Sequence, residues 1–574
     1  MPIHNSDIAD IFNKVADLLE IQGANPFRVR AYRDAARTIG GLSKSVADMI
    51  SQEKDLSGLP GIGQDLAGKI KTIIKEGSLP LLEDLKKKIP AELSDLMSIE
   101  SLGPKRIHAL YTNLNITSFK ELQKAAEEGK VRSLSGFGEK TEQKILEEIK
   151  RLKGEAIGRA LLVEAEQIVS PYIEYLKKDK SLKDIAVAGS FRRRRETVGD
   201  LDILSTSKEN SSLMDLFVNY EDVKKILSKG DTRSSVILRR GIQVDLRVVP
   251  EKSYGAALLY FTGSKAHNIA VRKIGQKKNL KINEYGVFKG KKSIAGKTEE
   301  DVYKKIGLPY IEPELRENRG EIEAAQKKNL PQLVTLKDIK GDLHVHTRAT
   351  DGRYTLEQMA EAAEERDYSY MAITDHSKKV SVANGLDEKR LAQQIKEIDK
   401  LNEKIKNFTL LKSIEVDILE DGSLDLPDDI LSRLDLVVCS IHYKFNLPRE
   451  KQTERIIRAL DNPHVNILAH PTGRMLNQRE PYQVDMEKVM EAAKERGCFL
   501  ELNAYPDRLD LDDAYCKLAK EIGLKVAVST DAHSINDLEF MRFGIGQARR
   551  GWLEPSDIIN TRGLDELRRL LKKR

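Results

Sequence analysis

Three aspartates in the first half of the chain have the spacing of a divalent-metal site for phosphoryl transfer. Asp200 and Asp202 lie two residues apart at the start of an apolar run that predicts a strand, and Asp245 lies inside a second such run. Side chains alternate between the faces of a strand, so Asp200 and Asp202 point the same way. Like charges on one face are unfavourable unless a cation lies between them, and three such carboxylates can hold two magnesium ions. The spacing therefore predicts that all three aspartates are catalytic and bind metal.

A glycine-serine pair lies upstream of these aspartates and is followed by a run of arginines. Gly189-Ser190 allows the backbone to approach a phosphate closely, and the arginines supply positive charge for it. We expect Gly189, Ser190, Arg193 and Gly199 to bind a phosphate-bearing substrate. The alternative is a solvated basic turn with scattered acids, and the glycine-serine pair together with Asp245 argues against it.

This constellation resembles the nucleotidyltransferase palm of the family X DNA polymerases, which include DNA polymerase beta. A second segment, Tyr-Phe-Thr-Gly-Ser at residues 260–264, matches the same family in the same register. The resemblance implies a polymerase site with two Mg²⁺ ions, dNTPs as substrates and gapped or nicked DNA as partner. Residues that the resemblance places beneath the sugar or against nucleotide and template are Tyr260, Phe261, Gly263, Asn268 and Arg272.

Residues from Asn5 to about Lys153 carry apolar positions at helical spacing and three glycine-containing hairpin signals. Glycines at a helix N-terminus expose backbone N–H groups that can bind a DNA phosphate without reading bases. The signals resemble helix-hairpin-helix elements, and a plain helix–helix turn with a glycine cap is the alternative for any one of them alone. The residues expected to contact DNA are Gly61, Gly63, Gly103, Lys105, Gly136, Gly138 and Lys140.

The first helical unit also resembles the lyase domain of DNA polymerase beta. The match covers residues 31–36 and 59–63, with Lys69 following. The resemblance implies that Lys69 forms a Schiff base with an abasic sugar, which requires a depressed pKa. This chain has Asp65 where the relative has a basic residue, and an acid there favours the charged ammonium. A phosphate-contacting role for Lys69 therefore stays open beside the lyase role.

The last third of the chain places histidines and acids at the ends of predicted strands. Seven apolar segments alternate with helical segments such as 355–365 and 485–496, a pattern typical of the mouth of a β/α barrel. Nine acids and imidazoles at one mouth would destabilise the fold without metal, so we predict a metal centre there. The candidate ligands are His344, His346, Asp351, His376, Glu415, His442, His470, Asp531 and His533.

Residues 339–574 resemble the PHP domain, the polymerase and histidinol phosphatase superfamily. The resemblance implies up to three Mn²⁺ or Zn²⁺ ions and a metal-dependent 3′–5′ exonuclease or 3′-end-processing activity. It implies one ion held by His344, His346, Glu415 and Asp531, a second by Asp351, His376 and His533, and a third by Glu415, His442 and His470.

The length of 574 residues predicts three to five domains, and a net charge of +6 excludes a global basic field. Three cysteines without paired spacing indicate a reducing cytoplasm, no segment predicts a membrane span or signal peptide, and we expect a monomer. The predicted divisions are a lyase-like domain at 1–85, a fingers-like helix-hairpin-helix region at 86–154, a palm at 155–250, a thumb at 251–318, a connector at 319–338 and a PHP barrel at 339–574.

Together these features predict a multidomain α+β and α/β fold, with a helical N-terminal region, a palm with thumb and a C-terminal (β/α)7 barrel. The implied function is a family X DNA polymerase that fills short gaps in base excision repair or end processing and also trims 3′ ends. One rival is a PHP phosphatase or nuclease that a non-catalytic polymerase-like half delivers to DNA. Another is a DNA-end scaffold with idle sites. The intact acids Asp200, Asp202 and Asp245 argue against both.

Overall fold

The computed structural model describes residues 5–572, apart from 41, 43–45, 52–53, 60, 89–92, 94–95, 97–98, 100–101, 135, 154–158 and 209–211. Its chain forms two compact units, Met1–Ile157 and Gly158–Arg574. The predicted boundary between residues 154 and 155 lies outside the described residues, as do Pro60, Glu100, Ser101 and Ser135 of the hairpin signals. The mixture of a helical unit with a sheet-containing unit confirms the predicted fold class.

The described part of the first unit is helical, as the spacing of its apolar residues predicts. Ile8, Phe12, Val15 and Leu19 recur every three or four residues and are all buried in one core, where the ring of Tyr32 packs edge-on against Phe12 at 5.4 Å. Helices α1 to α8 span Asn5–Ile21, Pro26–Gly40, Val46–Ser51, Gln64–Glu76, Pro80–Lys88, Pro104–Leu114, Phe119–Glu127 and Glu139–Lys153.

The predicted palm begins the second unit and is built on a five-stranded sheet of order β2-β4-β7-β6-β5. Strands β4 and β7 are parallel, and the other neighbouring pairs are antiparallel. The elements are β1 (Ala160–Leu161), α9 (Leu162–Leu176), β2 (Leu182–Val187), α10 (Gly189–Arg192), β3 (Thr197–Val198), β4 (Asp200–Ser207), α11 (Leu213–Val218), β5 (Val223–Lys229), β6 (Arg233–Leu238) and β7 (Gln243–Val248).

The thumb segment packs three helices, α12, α13 and α14, against a small antiparallel sheet. The predicted connector contributes to its core, because Ile322, Ala325 and Leu333 are buried in the same cluster as Val302 and Ile306. The elements are α12 (Tyr254–Thr262), α13 (Lys265–Lys277), β8 (Lys281–Asn283), β9 (Gly286–Lys289), β10 (Lys292–Ala295), α14 (Glu299–Ile306) and α15 (Glu321–Gln326).

The C-terminal part is a parallel β/α barrel. Its strands are β11 (Gly341–Val345), β12 (Tyr370–Ile373), β13 (Thr409–Lys412), β14 (Glu415–Asp417), β15 (Val438–Ser440), β16 (Ile467–Leu468), β17 (Phe499–Asn503) and β18 (Val526–Ser529). Its helices are α16 (Leu356–Glu364), α17 (Glu388–Asn402), α18 (Asp428–Leu431), α19 (Arg449–Leu460), α20 (Met486–Glu495), α21 (Asp513–Ile522), α22 (Met541–Arg550) and α23 (Leu564–Leu571).

The barrel has seven strand positions because β13 and β14 lie at one position, separated by Ser413 and Ile414. A parallel bridge between Val345 and Ala532 joins the first position to the last and closes the barrel. Parallel strands bring all their C-terminal ends to one mouth, which is where the predicted ligands lie.

Palm and barrel share an apolar core. Leu509 and Phe543 of the barrel are buried in the cluster that contains Leu162 and Val198 of the palm segment. Among the described helices, none combines the length and apolarity needed to cross a membrane.

Candidate active sites

The three palm aspartates meet at the parallel pair of strands β4 and β7. Asp202 is the direct register partner of Asp245, and Asp200 lies two residues before Asp202. The pKa of Asp202 is raised to about 7, first by burial and then by the negative charges of Asp200 and Asp245. Three carboxylates gathered on one sheet face are typical of a site for divalent cations.

Gly189 holds the backbone of the loop directly against this site. The residue has φ +62°, and a Cβ built on it would lie 2.8 Å from Oδ2 of Asp202. The backbone N–H of Ala188 donates to the Asp202 carbonyl at 2.7 Å. Residues 189–192 form a short helix, α10. A glycine is required here because both the left-handed backbone and the close approach exclude a side chain.

Asp245 has two partners that the sequence reasoning did not assign. Arg233 Nη2 lies 3.2 Å from Oδ2 of Asp245, and Gln243 Nε2 donates to Oδ1 at 3.2 Å. The guanidinium of Arg247 lies 4.5 Å from the ring centroid of Phe261. These cations partly neutralise the acidic cluster, and Arg247 also fixes one aromatic residue of the predicted nucleotide surface.

Arg193 is held by the thumb segment and the barrel. Its Nε donates to Glu317 at 3.0 Å, its Nη1 donates to the Thr262 carbonyl, and its own carbonyl accepts from Arg550 Nη1 at 2.8 Å. Its predicted role in phosphate binding would require the guanidinium to exchange Glu317 for substrate. Gly199 packs beside Arg159, whose Nη1 lies 3.1 Å from a Cβ built on the glycine.

The remaining predicted nucleotide contacts lie together at the junction of α12 and α13. The rings of Tyr260 and Phe261 are 5.1 Å apart, and Gly263, with φ +72°, ends α12. Asn268 Nδ2 donates to the Tyr260 carbonyl at 2.7 Å, and Arg272 Nε donates to the Asn268 carbonyl at 3.3 Å. These hydrogen bonds order one continuous surface from the two helices.

The predicted DNA contacts of the first unit lie at helix starts. Gly63 and Gly103 are the N-caps of α4 and α6, and Gly138 accepts from the first turn of α8. Gly61 and Gly136 have φ values of +76° and +86° in the preceding turns. Lys105 is exposed in the first turn of α6, and Lys140 lies in the first turn of α8.

Lys69 lies on α4 beside the acid that the sequence singled out. Its Nζ is paired with Asp65 one turn earlier and lies 5.2 Å from the centroid of the Tyr32 ring. Burial alone would lower the pKa of Lys69, but the hydrogen bonds with Asp65 and Tyr32 outweigh it and raise the pKa. The ammonium form is therefore favoured, as Asp65 led us to expect, and a Schiff-base lysine requires the opposite.

The barrel mouth brings all nine predicted ligands together. Glu415 is 1% exposed and lies at the centre of the cluster. Its carboxylate oxygens are 3.6 Å from His344, 3.7 Å from His346, 2.7 Å from His376, 3.4 Å from His442 and 3.0 Å from His470. Three groups have ligand atoms close enough for one ion each: His344, His346 and Asp531; His346, Asp351, His376 and His533; and His376, Glu415 and His442.

Several buried polar atoms at this mouth have no hydrogen-bond partner among the residues that the structure describes. They are Nε2 of His344, Nδ1 and Nε2 of His346, Nδ1 of His376 and Oε2 of Glu415. His376 Nδ1 and Glu415 Oε2 lie 2.7 Å apart without the geometry of a hydrogen bond. Unpaired buried atoms are unfavourable, and imidazole and carboxylate donors suit Mn²⁺ or Zn²⁺. The residues present therefore fit a metal centre.

The pKa values of the histidines at the barrel mouth also fit a metal centre. Burial lowers the pKa of His346 to about 3, with help from His533 and His376, so this ligand is neutral at physiological pH. Burial opposes charge on His376 and His442 too, but Glu415 and neighbouring acids outweigh it and raise their pKa values to about 10 and 9. The acids thus attract protons wherever no metal ion neutralises them.

Two acids that the sequence analysis did not predict contact histidines of the predicted ligand set. Glu501 Oε1 lies 2.7 Å from His344 Nδ1, and Asp417 Oδ2 lies 3.2 Å from His442 Nδ1. Such carboxylates fix the tautomer and orientation of a metal-binding imidazole. Asp417 follows Glu415 by two residues, so the two side chains lie on one face of β14, and this alternation in the sequence could have revealed Asp417.

Four family models match the chain in the regions just described. They are a helix-hairpin-helix domain at residues 3–79, a SAM-like helix-hairpin-helix tandem at 93–151, the DNA polymerase beta thumb at 257–317 and the PHP domain at 342–505. These matches support the helical, thumb and barrel assignments independently of the site geometry.

Named relatives match the chain in whole or in part. A protein named probable phosphatase from Thermoanaerobacter sp. (strain X514) is 33% identical over 231 residues, 38% of this chain and 89% of that protein. DNA polymerase lambda of Rattus norvegicus is 26% identical over 345 residues, 55% of this chain and 56% of its own. The DNA polymerase/3'-5' exonuclease PolX of Bacillus subtilis (strain 168) is 39% identical over 581 residues, which cover 100% of both chains. Such identity over the full length, with the thumb, helix-hairpin-helix and PHP matches, means that the chain belongs to the family X DNA polymerases that carry a C-terminal PHP domain.

Proposed function

We propose that this chain fills short gaps in DNA with dNTPs and trims 3′ ends, serving base excision repair or end processing as a monomer. Membership in the family makes it a DNA polymerase with a PHP exonuclease, dependent on divalent metal ions and acting on DNA. The observation that carries the polymerase half is the register pairing of Asp202 with Asp245 beside Asp200, with the pKa of Asp202 raised to about 7.

At the palm, the three carboxylates would hold two Mg²⁺ ions, which supply charge stabilisation for the attacking and leaving oxygens of an in-line displacement. The chain itself orients the reactants. Gly189 and Ser190 offer a close backbone approach to the triphosphate, and the surface of Tyr260, Phe261 and Asn268 supports the sugar. Arg193 would contribute charge to the phosphates after leaving Glu317.

At the barrel mouth, the nine ligands would hold up to three Mn²⁺ or Zn²⁺ ions, which activate water and polarise a phosphodiester. Glu415 contributes most to metal binding, because its two carboxylate oxygens lie near histidines of all three ligand groups. Glu501 and Asp417 keep the imidazoles of His344 and His442 in their binding orientation by accepting the proton on Nδ1.

The first unit would grip the DNA backbone at the 5′ side of a gap. Exposed N–H groups around Gly61, Gly63, Gly103, Gly136 and Gly138 suit phosphate oxygens. We assign Lys69 to the same phosphate contact, because its raised pKa favours the charged form.

A barrel acting as a phosphatase is the second candidate, since the relatives that match the barrel alone carry the name probable phosphatase. A 3′-end-labelled oligonucleotide and a small phosphomonoester distinguish the two activities. Release of labelled nucleotides supports the exonuclease, whereas hydrolysis of the monoester with intact 3′ ends supports the phosphatase.

Reciprocal variants test the proposal as a whole. Asp245→Ala should lose gap filling by about a thousandfold or more, because losing one metal-site carboxylate costs several kcal/mol of transition-state stabilisation. Glu415→Ala should lose 3′-end trimming and keep gap filling. Both are measured on a labelled gapped duplex, with dNTPs for synthesis and without them for trimming. Near wild-type synthesis by Asp245→Ala would contradict the palm assignment.

A further inference from the structure

A cleft of about 860 Å³ opens beside the metal centre of the barrel, between the N-terminal ends of α16 and α17. Its wall includes Thr347, which directly follows the ligand His346, and its other side includes Lys389 and Arg390 in the first turn of α17. Helices of a β/α barrel start at the mouth, so the cleft lies at the same end as the ligands. A strand whose end reaches the metals could continue into it.

The loop that forms this wall is held in place by one arginine. Arg390 Nη2 donates to the Ala349 carbonyl at 2.6 Å, and Arg390 Nη1 donates to the Gly385 carbonyl at 3.1 Å. The same loop carries the ligand Asp351. Because carbonyls leave the charge of Arg390 unneutralised, the guanidinium adds positive potential at the junction of cleft and metal centre.

The cleft has a surplus of positive charge. Arg348, Lys389 and Lys396 are exposed, and none forms an ion pair with another residue that the structure describes. The acids along the cleft are Glu357, whose charge interacts with that of Arg348, and Glu397, which accepts a hydrogen bond from the neutral Gln393 Nε2 at 2.9 Å. Together with Arg390, four cations face two acids, a balance that suits the phosphates of a nucleic-acid backbone.

Gln394 adds a buried amide to the cleft wall. Gln394 is 4% exposed, and its Nε2 donates to Asp375 Oδ2 at 2.6 Å. Its Oε1 has no hydrogen-bond partner in the described part of the chain. Inorganic phosphate offers mainly acceptors, whereas a nucleotide strand carries N–H donors on its bases along with its phosphates.

We infer that this cleft binds the nucleotides that precede the 3′ end, and so delivers a single strand to the metal centre. The inference rests on the proposed exonuclease function and names the part of the barrel that would recognise its polymeric substrate. Small phosphodiesters reach the metals without occupying the cleft. A comparison of oligonucleotide with small-diester hydrolysis therefore distinguishes the role of the cleft from that of the metal centre.

The test compares the full chain with Lys389→Glu/Lys396→Glu on a short single-stranded oligonucleotide and on bis(p-nitrophenyl) phosphate, with Mn²⁺ and without dNTPs. The KM for the oligonucleotide should rise about tenfold at unchanged kcat, and the slope of log KM against log salt should fall by about 1.4, since each single-strand contact contributes about 0.7. Hydrolysis of the small diester should stay at the wild-type rate. Lys389→Gln/Lys396→Gln should give a smaller change in the same direction.

The matched control is Arg568→Glu/Lys572→Glu, which makes the same charge change on and beside α23. This helix packs with Leu567 and Leu571 against the cluster of Leu343 and Leu411, away from the ligands. The inference would be overturned if both charge reversals changed the KM equally, or if the cleft variant left the KM unchanged. Loss of diester hydrolysis by the cleft variant would overturn it as well. Failure of the wild type to cleave either substrate would instead overturn the exonuclease function itself.

Discussion

At the scale of single residues, the acids of the palm were predictable because side chains alternate regularly between the two faces of a strand. Alternation places Asp200 and Asp202 on one face, and a strand-borne Asp245 completes the set. The partners of those acids were not predictable. Arg233 reaches Asp245 from a neighbouring antiparallel strand, and only the sheet order brings the two together.

The first residue-scale prediction concerns the stability of the metal-free palm. The pKa of Asp202 is raised to about 7 in the folded chain, so its contribution favours folding at acid pH and is lost as pH rises from the ordinary carboxyl range towards 7. Asp202→Asn should therefore raise the Tm of the metal-free protein, more at pH 8 than at pH 5. Mg²⁺ should stabilise the wild type and have less effect on the variant.

Thermal unfolding in EDTA at the two pH values measures this difference. Asp84→Asn, an exposed acid on α5, is the control for an ordinary charge change. An equal Tm gain for Asp202→Asn at both pH values would show that Asp202 does not retain a proton in the folded state.

The second residue-scale prediction concerns Lys69. Removing the Asp65 carboxylate should lower the pKa of Lys69, because the hydrogen bond that the ammonium donates to that acid helps hold the proton. Asp65→Asn should therefore increase the borohydride trapping of an abasic-site duplex several-fold near pH 7.5, where more of the amine becomes neutral.

Asp84→Asn serves again as the matched control in the same unit. Trapping by Asp65→Asn should disappear in Asp65→Asn/Lys69→Ala. Trapping that persists without Lys69, or that does not respond to Asp65, would mean that another amine reacts or that the unit lacks lyase chemistry.

At the scale of elements, the loop that leaves β2 fixes the palm site. Gly189→Ala would place a methyl group 2.8 Å from Oδ2 of Asp202 and force alanine into φ +62°. We expect polymerase activity to fall at least about tenfold because the carboxylate must move, and each 1.4 kcal/mol lost corresponds to a factor of ten. Trimming by the barrel should be unchanged.

Gly563→Ala is the matched control, since a Cβ at that N-cap meets nothing within 4 Å. Rates of primer extension and of 3′-end trimming on the same duplex give both readouts. Undiminished extension by Gly189→Ala would contradict the close packing of the loop on Asp202.

Seven strand positions and their polar ends were predictable because apolar runs alternate regularly with helical segments. The break between β13 and β14 was not, since the polar pair Lys412-Ser413 fits the polar end of one strand as well as a break between two strands. Likewise, the connector predicted from its composition contributes Ile322 and Leu333 to the thumb core, and only the fold reveals those contacts.

At the scale of the whole second unit, buried ion pairs join the polymerase segments to the barrel. Arg550 on α22 is 1% exposed on its side chain and binds Glu317 at 3.0 Å, Asp513 at 2.5 Å and the Arg193 carbonyl. Glu317 in turn binds Arg193. The two residues of the Arg550–Arg193 contact are 357 positions apart, so no local pattern could predict it.

Arg550→Met should destabilise the second unit by about 3–5 kcal/mol, because it leaves Glu317 and Asp513 buried without this partner. Burial raises the pKa values of both acids, but Arg550 and nearby arginines outweigh it and lower them. This stabilisation is present at pH values above the ordinary pKa of a carboxyl group and is lost as pH falls. The difference in unfolding free energy between the wild type and Arg550→Met should therefore shrink in acid.

Urea unfolding followed by fluorescence of Trp552, the one tryptophan of the chain, measures the effect at the interface itself. Arg568→Met on α23, where the arginine is exposed, is the control. A loss below about 1 kcal/mol, typical of a surface ion pair, would contradict the interior role of Arg550.

The apolar core shared by palm and barrel has a consequence for proteolysis. A protease that cut the chain near residue 330 and released the barrel would bare Leu509 and Phe543, together with the partly buried Leu476 and Phe540 that pack around them. Contiguous apolar patches of this kind drive self-association in water. The freed barrel would therefore tend to aggregate, whereas a cut between Ile157 and Gly158 would leave that core intact.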